Sequence, residues 1–350
     1  VFSPKFTITT KILSNVAKIE AAKELIENAP LVPAYEAKFR EEAIIRTVHH
    51  GTHIEGNPLE PGQVKKVLAG QEISARDRDI QEILNYREVL KFIDGAREEP
   101  FTEKLLLDIH KLTTKKILPP SQSGKYRETT VRVADSKTGE TSYLPPAPSQ
   151  IADFIRNFLF WLNHATSDEI HPILKAATIH YFISAIHPFV DGNGRTARAV
   201  ATLSLFKEGY DIKKFISLEE YFDRDSAGYY LALQKTSNQK GAFFERDLTS
   251  WVEYFTQGLA IELSQIREKV QRLSVDLKLK SKMGQIPLND RQLKLVEYVQ
   301  EVGQISNKEW RGLLPMISDD TILRDLKYLM KKGVLKKKGS TKSAFYILRK

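Results

Sequence analysis

Residues 187–198 read His-Pro-Phe-Val-Asp-Gly-Asn-Gly-Arg-Thr-Ala-Arg. A strongly apolar run, 172–186, leads into them, so the chain reads as a helix stopped by Pro188 and a new helix begun near Asn193. The first N–H groups of a helix lack internal partners, and its dipole favours an anion there. Gly192 and Gly194 allow a ligand close to that backbone. Arg195 and Arg198 stand three apart and share one face of the helix. Two fixed cations beside a helix start suit a chain of phosphates. The expected phosphate grip is therefore Gly192, Asn193, Gly194, Arg195, Thr196 and Arg198. Asp191 is an oxygen ligand suited to Mg²⁺, which accompanies a chain of phosphates. His187, with a pKa near neutrality, is suited to take the proton of an attacking hydroxyl. Phe189 is expected to anchor the loop in the core.

Two other phosphate-binding patterns compete for this stretch. Gly192-Asn-Gly194-Arg-Thr-Ala197 fits the dinucleotide fingerprint, with Asp211 at a suitable distance, but that fingerprint needs a preceding strand in a βαβ unit. Here the preceding segment reads as helix. A Walker loop is excluded because no Gly-Lys-Ser/Thr follows.

The stretch resembles the Fic-domain signature His-Pro-Phe-x-(Asp/Glu)-Gly-Asn-Gly-Arg-x-x-Arg at all nine fixed positions. The resemblance extends over about 35–256. Gly124-Lys-Tyr-Arg127, the Val131–Val133 run and Tyr143-Leu-Pro-Pro146 resemble the segment ahead of the Fic motif. In that family the segment is a β-hairpin flap that aligns the target by strand pairing. The resemblance thus marks Val133, Ala134, Ser142 and Tyr143 as flap residues. Tyr229-Tyr230 resembles the family's adenine-pocket pair, Asn238 its amide (one residue out of step), and Trp251 its later helix. What the resemblance implies is transfer of AMP from ATP, with Mg²⁺, to a Ser, Thr or Tyr hydroxyl of a target protein, the chain itself included, with His187 as catalytic base. Transfer of another group, UMP or phosphocholine, and a nucleotide-sensing regulator that transfers nothing are the alternatives.

Residues 52–57, Thr-His-Ile-Glu-Gly-Asn, resemble the inhibitory motif (Ser/Thr)-x-x-x-Glu-(Gly/Asn) of self-restrained Fic proteins. Glu55-Gly56 matches its end, while Gly51 occupies the Ser/Thr slot. The resemblance pairs Glu55 with Arg198, which takes that cation away from the γ-phosphate. In some relatives the same glutamate supports removal of AMP. His49, His50 and His53 lie beside Glu55, but their spacing is no standard zinc pattern, so they read as surface histidines.

The 350 residues are 41% hydrophobic and 28% charged, the balance of a globular protein of two or three domains. No apolar run is long enough to span a membrane. The chain has no cysteine, which excludes disulfides and thiolate zinc sites and makes a reducing cytoplasm the expected compartment. The first residues, Val-Phe-Ser-Pro-Lys-Phe, show no secretory pattern.

The expected fold is mainly α: a Fic-type helical bundle with a hairpin flap, plus a C-terminal winged helix-turn-helix domain. Helices are expected at 14–30, 36–50, two within 62–96, 103–115 capped by Thr102, 151–163, 172–186, 193–208, 225–236 and 247–270. Strands are expected at 131–133 and 141–144 about a turn at Asp135–Gly139. The expected division is 1–100 with the inhibitory motif, 101–256 as Fic core, 257–284 as linker, and 285–350 as winged helix, with a boundary at Gly284–Pro287.

In that last stretch helices are expected at 290–301, from Ser306 with Glu309 as a capping box, and from 318 to 332. Strands at 334–338 and 343–348 follow. It carries 14 Lys/Arg against 7 Asp/Glu, +7 of the chain's net +9. Thr321, Arg324 and Lys327 are expected to face a major groove, and Lys336–Lys338 and Lys342 to reach phosphates, so duplex DNA is one expected partner and an acidic protein its rival. A homo-oligomer is left open.

Overall fold

The computed structural model describes residues 2–134, 141–166, 169–274, 286, 288–340 and 344–349. The chain divides into two compact units, Val1–Lys23 with Glu42–Ser264, and Glu24–Glu41 with Gln265–Lys350. Among the described residues no helix is long and apolar enough to cross a membrane.

The helices in chain order are α1 (Thr10–Asn28), α2 (Pro33–His53), α3 (Pro61–Leu68), α4 (Asp77–Gly95) and α5 (Glu103–Thr113). The flap strands β1 (Val133–Ala134) and β2 (Thr141–Tyr143) follow. Then come α6 (Pro148–His164), α7 (Pro172–Ile186), α8 (Asn193–Lys207), α9 (Leu218–Arg224), α10 (Ser226–Ser237) and α11 (Thr249–Leu273).

The core of the first unit forms around α7. Every residue of α7 except Ser184 is buried, as a helix apolar on most of its faces requires. α8 packs along α7, α4 and α5 pack against α8, and α6 closes the other side of α7. Trp251 from α11 is fully buried. Its Nε1 donates to the Ala177 carbonyl at 2.7 Å, and its ring stacks on His180 with centroids 4.9 Å apart. Thr102 caps α5 as expected, accepting from the Leu105 N–H at 3.1 Å.

β1 and β2 pair antiparallel, Val133 opposite Tyr143 and Ala134 opposite Thr141. The strands are shorter than expected. Val131 and Arg132 lie outside the ladder, and Leu144, 64% exposed, precedes two prolines that cannot donate to one. The turn at Asp135–Gly139 lies outside the described residues. α9 escaped the sequence reading because it is only seven residues long and buries Glu219 and Glu220 beside Leu218 and Phe222.

In the second unit, Tyr35 donates to Gln300 at 2.7 Å and Lys38 pairs with Glu297 at 2.8 Å. The remaining elements are α12 (Asp290–Val302), β3 (Ile305–Ser306), α13 (Asn307–Leu313), α14 (Asp319–Lys331), β4 (Leu335–Lys338) and β5 (Phe345–Leu348). The strands form an antiparallel sheet in the order β3-β5-β4. β3 was not expected; two residues are too few for a periodic signal. The Ser306–Glu309 capping box is formed. Ile322, Leu326 and Leu329 are fully buried together with Trp310. The expected boundary at Gly284–Pro287, apart from Ile286, and Lys342 lie outside the described residues.

Replacing Trp251 with Ala removes the largest buried side chain of the first unit and should cost about 3–5 kcal/mol. Urea unfolding followed by tryptophan-independent circular dichroism measures it. A loss below about 1 kcal/mol would mean that α11 does not hold α7.

Candidate functional site

The end of α7 and the start of α8 build the site. His187 caps α7 in the left-handed region, φ 50° and ψ 57°, with its N–H bonded to the Ile183 carbonyl at 3.0 Å. A non-glycine residue holds such a conformation only where its surroundings enforce it. They do so here through Arg127. Its Nε donates to the His187 carbonyl at 2.8 Å, and its other nitrogens donate to the Thr129 and Pro146 carbonyls at 2.9 and 2.6 Å. Its backbone N–H donates to the Pro188 carbonyl at 2.9 Å. One buried guanidinium thus ties both ends of the flap to the loop.

The His187 Nδ1 lies 3.2 Å from the Ser184 carbonyl. A carbonyl only accepts, so Nδ1 carries the proton and Nε2 keeps its lone pair. Burial, assisted by the Arg127 cation, holds the imidazole below its ordinary pKa, against the pull of the Ser184 bond.

Asn193 closes the loop from inside, exchanging hydrogen bonds with the Phe189 backbone at 2.9 Å in each direction. His110, from α5, stacks flat on Phe189 with centroids 3.6 Å apart. It accepts from the Gly124 N–H at Nδ1 and donates from Nε2 to the Asp191 carbonyl, both at 3.0 Å. Burial pushes its pKa down to about 4.

Gly192 has φ 81° and lies so close to Thr114 that a Cβ would meet its methyl at 3.0 Å. The Asp191 carboxylate accepts from the Gly192 N–H at 2.6 Å, from Arg195 at 3.3 Å and from Arg78 at 3.0 Å. Arg195 is buried, with NH1 3.2 Å from Glu82 but outside hydrogen-bonding alignment.

Arg198 has no exposed surface. Its NH2 lies 2.9 Å from Glu55 and 2.8 Å from the Gly51 carbonyl, and its NH1 lies 3.5 Å from the Tyr229 hydroxyl. Glu55 reaches it because α2 ends in a glycine turn. Gly56 adopts φ 92°, and the Gly56 and Asn57 N–H groups return to the His53 and Thr52 carbonyls at 2.8 and 3.2 Å. Asn57 fixes that turn by donating to Glu82 at 3.0 Å. Glu55 also lies against Gly194, where a Cβ would fall 2.1 Å from its Oε1. The carboxylate thus stands at the start of α8, between Gly194 and Arg198.

Gly51 in the Ser/Thr slot leaves the helix intact, since α2 runs unbroken to His53. A Cβ at Gly51 would strike the Tyr86 ring at 2.4 Å. Tyr86 in turn donates to Glu219 at 2.7 Å.

His187, Asp191, Gly192–Arg198, Glu55 and Tyr229 thus stand together. Tyr229 is buried, bonded to His180 at 3.1 Å, its hydroxyl pKa pushed up to about 12 by burial. Tyr230 donates to the Ile54 carbonyl at 3.0 Å. The Asn238 amide lies on the flap, 3.1 Å from the Ser142 carbonyl, and Gln234 donates to the same oxygen at 3.2 Å. The Ser142 hydroxyl bonds the Val133 carbonyl at 3.1 Å, and Tyr143 donates to the Ala185 carbonyl at 2.8 Å. Arg78, Glu82, Tyr86 and His110 were not anticipated. They lie on α4 and α5 at ordinary helical positions, and no local motif marks them.

The family model described as "Fic/DOC family" matches residues 100–205. "Protein adenylyltransferase Fic" of Drosophila grimshawi is 31% identical over 176 residues, covering 49% of this chain and 35% of that protein. The protein of the same name from Culex quinquefasciatus is 29% identical over 199 residues, covering 55% of this chain and 38% of its own. The chain therefore spans little more than a third of the length of these relatives. A solved Fic family protein from Desulfovibrio desulfuricans G20 has a TM-score of 0.68 at 22% identity, covering 99% of this chain and 98% of that one. A Fic domain containing signaling protein from Bacteroides thetaiotaomicron VPI-5482 gives 0.62 at 23% identity, covering 76% and 100%. Residues 100–205 thus match the Fic/DOC family model, about half of the chain is similar to protein adenylyltransferases, and the chain has the mainly helical Fic fold.

His110→Phe keeps a ring on Phe189 but leaves the Gly124 N–H and Asp191 carbonyl unpaired, a loss of about 1–3 kcal/mol at pH 7. The native imidazole stays neutral to about pH 4, while the unfolded one takes a proton near 6.5. Its contribution is complete above pH 6.5 and fades as pH falls toward 4. Thermal midpoints of the two proteins should converge over that window; a constant gap would show that His110 is not held neutral.

Proposed function

We propose that the chain is a protein adenylyltransferase, moving AMP from ATP to a hydroxyl of a target protein, and that Glu55 restrains it. One observation carries this reading: an imidazole with a free Nε2 lies in the same short loop as a helix mouth backed by Arg195 and Arg198. A site for binding alone needs no such base.

In the proposed reaction the target hydroxyl oxygen forms a bond to the α-phosphorus. The bond from that phosphorus to the bridging oxygen of the β-phosphate breaks, and pyrophosphate leaves. The hydroxyl proton goes to His187 Nε2. The Gly192–Arg198 turn and its arginines hold the phosphates, and fixed placement with charge neutralisation supplies most of the rate. The residues fit Mg²⁺: Asp191 presents a half-exposed, all-oxygen carboxylate at the loop tip. Asp191 would hold the ion, which neutralises phosphate charge, once Arg78 has released the carboxylate.

The restraint follows from the pairing of Glu55 with Arg198. Its carboxylate occupies the cation meant for the terminal phosphate and repels that phosphate from the mouth of α8. Glu55→Gly should raise transfer about 5- to 150-fold, the range of ordinary coupling energies, read as label from ATP on protein. Equal labelling by both proteins would remove the restraint. His187→Ala in the Glu55→Gly background should lower transfer about 10²- to 10⁴-fold. The acid limb of the pH profile should lie below 6.5, because the imidazole is held below that value. Intact mass after incubation with ATP, UTP or CDP-choline identifies the group transferred.

The tail supports a second activity. Its helix–strand–helix–helix–strand–strand order, with β5 between β3 and β4, supports a winged-helix reading. Arg324 and Lys327 are exposed on α14, as are Lys336–Lys338 on β4, while Arg311 pairs with Asp319 at the start of α14. Duplex DNA is the proposed partner. Binding should weaken steeply with salt, and replacing Lys336, Lys337 and Lys338 with Ala should lower the slope of log K against log salt by about 3. An absence of binding at low salt would overturn this reading.

A further inference from the structure

The C-terminal end of α2 carries His49, His50 and His53, and α9 brings Asp223 to them from far along the chain. His50 Nδ1 lies 2.7 Å from Asp223 Oδ2, and His53 Nδ1 lies 2.8 Å from Asp223 Oδ1. His49 Nδ1 lies 3.0 Å from the Leu59 carbonyl. That bond places the proton on Nδ1 and leaves Nε2 with a lone pair, the state a metal-binding histidine requires. One donor atom each of His49, His50 and Asp223 falls within 4.8 Å of the others. The site is largely shielded: His49 is buried, and the His50 and Asp223 side chains are 14% and 7% exposed.

The sequence offered three histidines without a carboxylate of suitable spacing, and the fold supplies it. We propose that His49, His50 and Asp223 bind a divalent transition cation of the zinc class, with His53 as a hydrogen-bonding partner of the carboxylate or a fourth ligand. Tetrahedral zinc holds its donors about 3.4 Å apart at bond lengths near 2.1 Å, so the 2.7 Å His50–Asp223 contact needs only a small opening. Two imidazoles and one carboxylate favour zinc, nickel or copper over Mg²⁺, which prefers oxygen. The site is thus chemically distinct from the Asp191 carboxylate.

Asp223 faces the two histidines with both carboxylate oxygens, Oδ2 toward His50 and Oδ1 toward His53. Glu220, 3.9 Å from His50 Nε2, is already paired with Arg46 at 2.7 Å and with Arg224.

The test is cobalt titration of the full chain, free of any histidine tag, followed by visible d–d absorption and by equilibrium dialysis with zinc. One equivalent of zinc should bind, and cobalt should give the intense bands of a four- or five-coordinate ion. Asp223→Asn and His50→Gln should each weaken binding by about 100-fold, with circular dichroism verifying the fold. Asp191→Asn should leave it unchanged, which separates this site from the nucleotide site whatever the fate of the transferase reading. No binding by the native chain, or equal binding by Asp223→Asn and His50→Gln, overturns the proposal.

Discussion

A guanidinium without exposed surface must be balanced within the protein, because an unpaired buried charge costs several kcal/mol. Arg198 is such a group, and the parts of the site are arranged around its balance. The Glu55 carboxylate, the Gly51 carbonyl and the Tyr229 hydroxyl meet it from three directions. Glu55 can do so because Gly56 turns the end of α2 and because Gly194 has no side chain to obstruct the approach. A phosphate chain would provide the same compensation. The proposed restraint and the proposed activity are two ways of satisfying one buried cation, and they exclude each other sterically as well as electrically.

The other half of the site depends on backbone rather than charge. His187 sits in a left-handed conformation, and the loop after it is fastened through its carbonyls: Arg127 holds those of His187 and Pro188, and His110 holds that of Asp191. Both fasteners connect to the segment leading into the flap, His110 through the Gly124 N–H and Arg127 through its own main chain. The proposed base, the proposed metal ligand and the flap therefore form one hydrogen-bonded body. Such a body loses little freedom when a substrate docks, which is the structural meaning of preorganisation.

Most of the helical plan was legible because apolar residues recur at helical spacing and because Pro188, Gly209 and Thr102 mark helix ends. The candidate site was legible for a different reason: His187 through Arg198 lie within one loop and the first two turns of α8, so they are close in the chain as well as in the fold. Glu55 became legible only through its resemblance to a known motif, since nothing local distinguishes it from any acid at a helix end. Arg78, Glu82, His110 and Asp223 were hidden. Arg78 and His110 meet Asp191, Glu82 meets Arg195 and Asp223 meets His50 only after the chain has folded back over 80 or more positions, and a single sequence carries no trace of such pairing. α9 was missed because it is seven residues long and buries two acids, Glu219 and Glu220, beside Leu218 and Phe222, which blurs the apolar pattern of a helix.

The close approach of Tyr86 to Gly51 couples α2 to α4. A Cβ at position 51 would fall 2.4 Å from the Tyr86 ring, so a side chain there requires the ring to move. Because Tyr86 also donates to Glu219, a substitution at position 51 would be felt as far as α9.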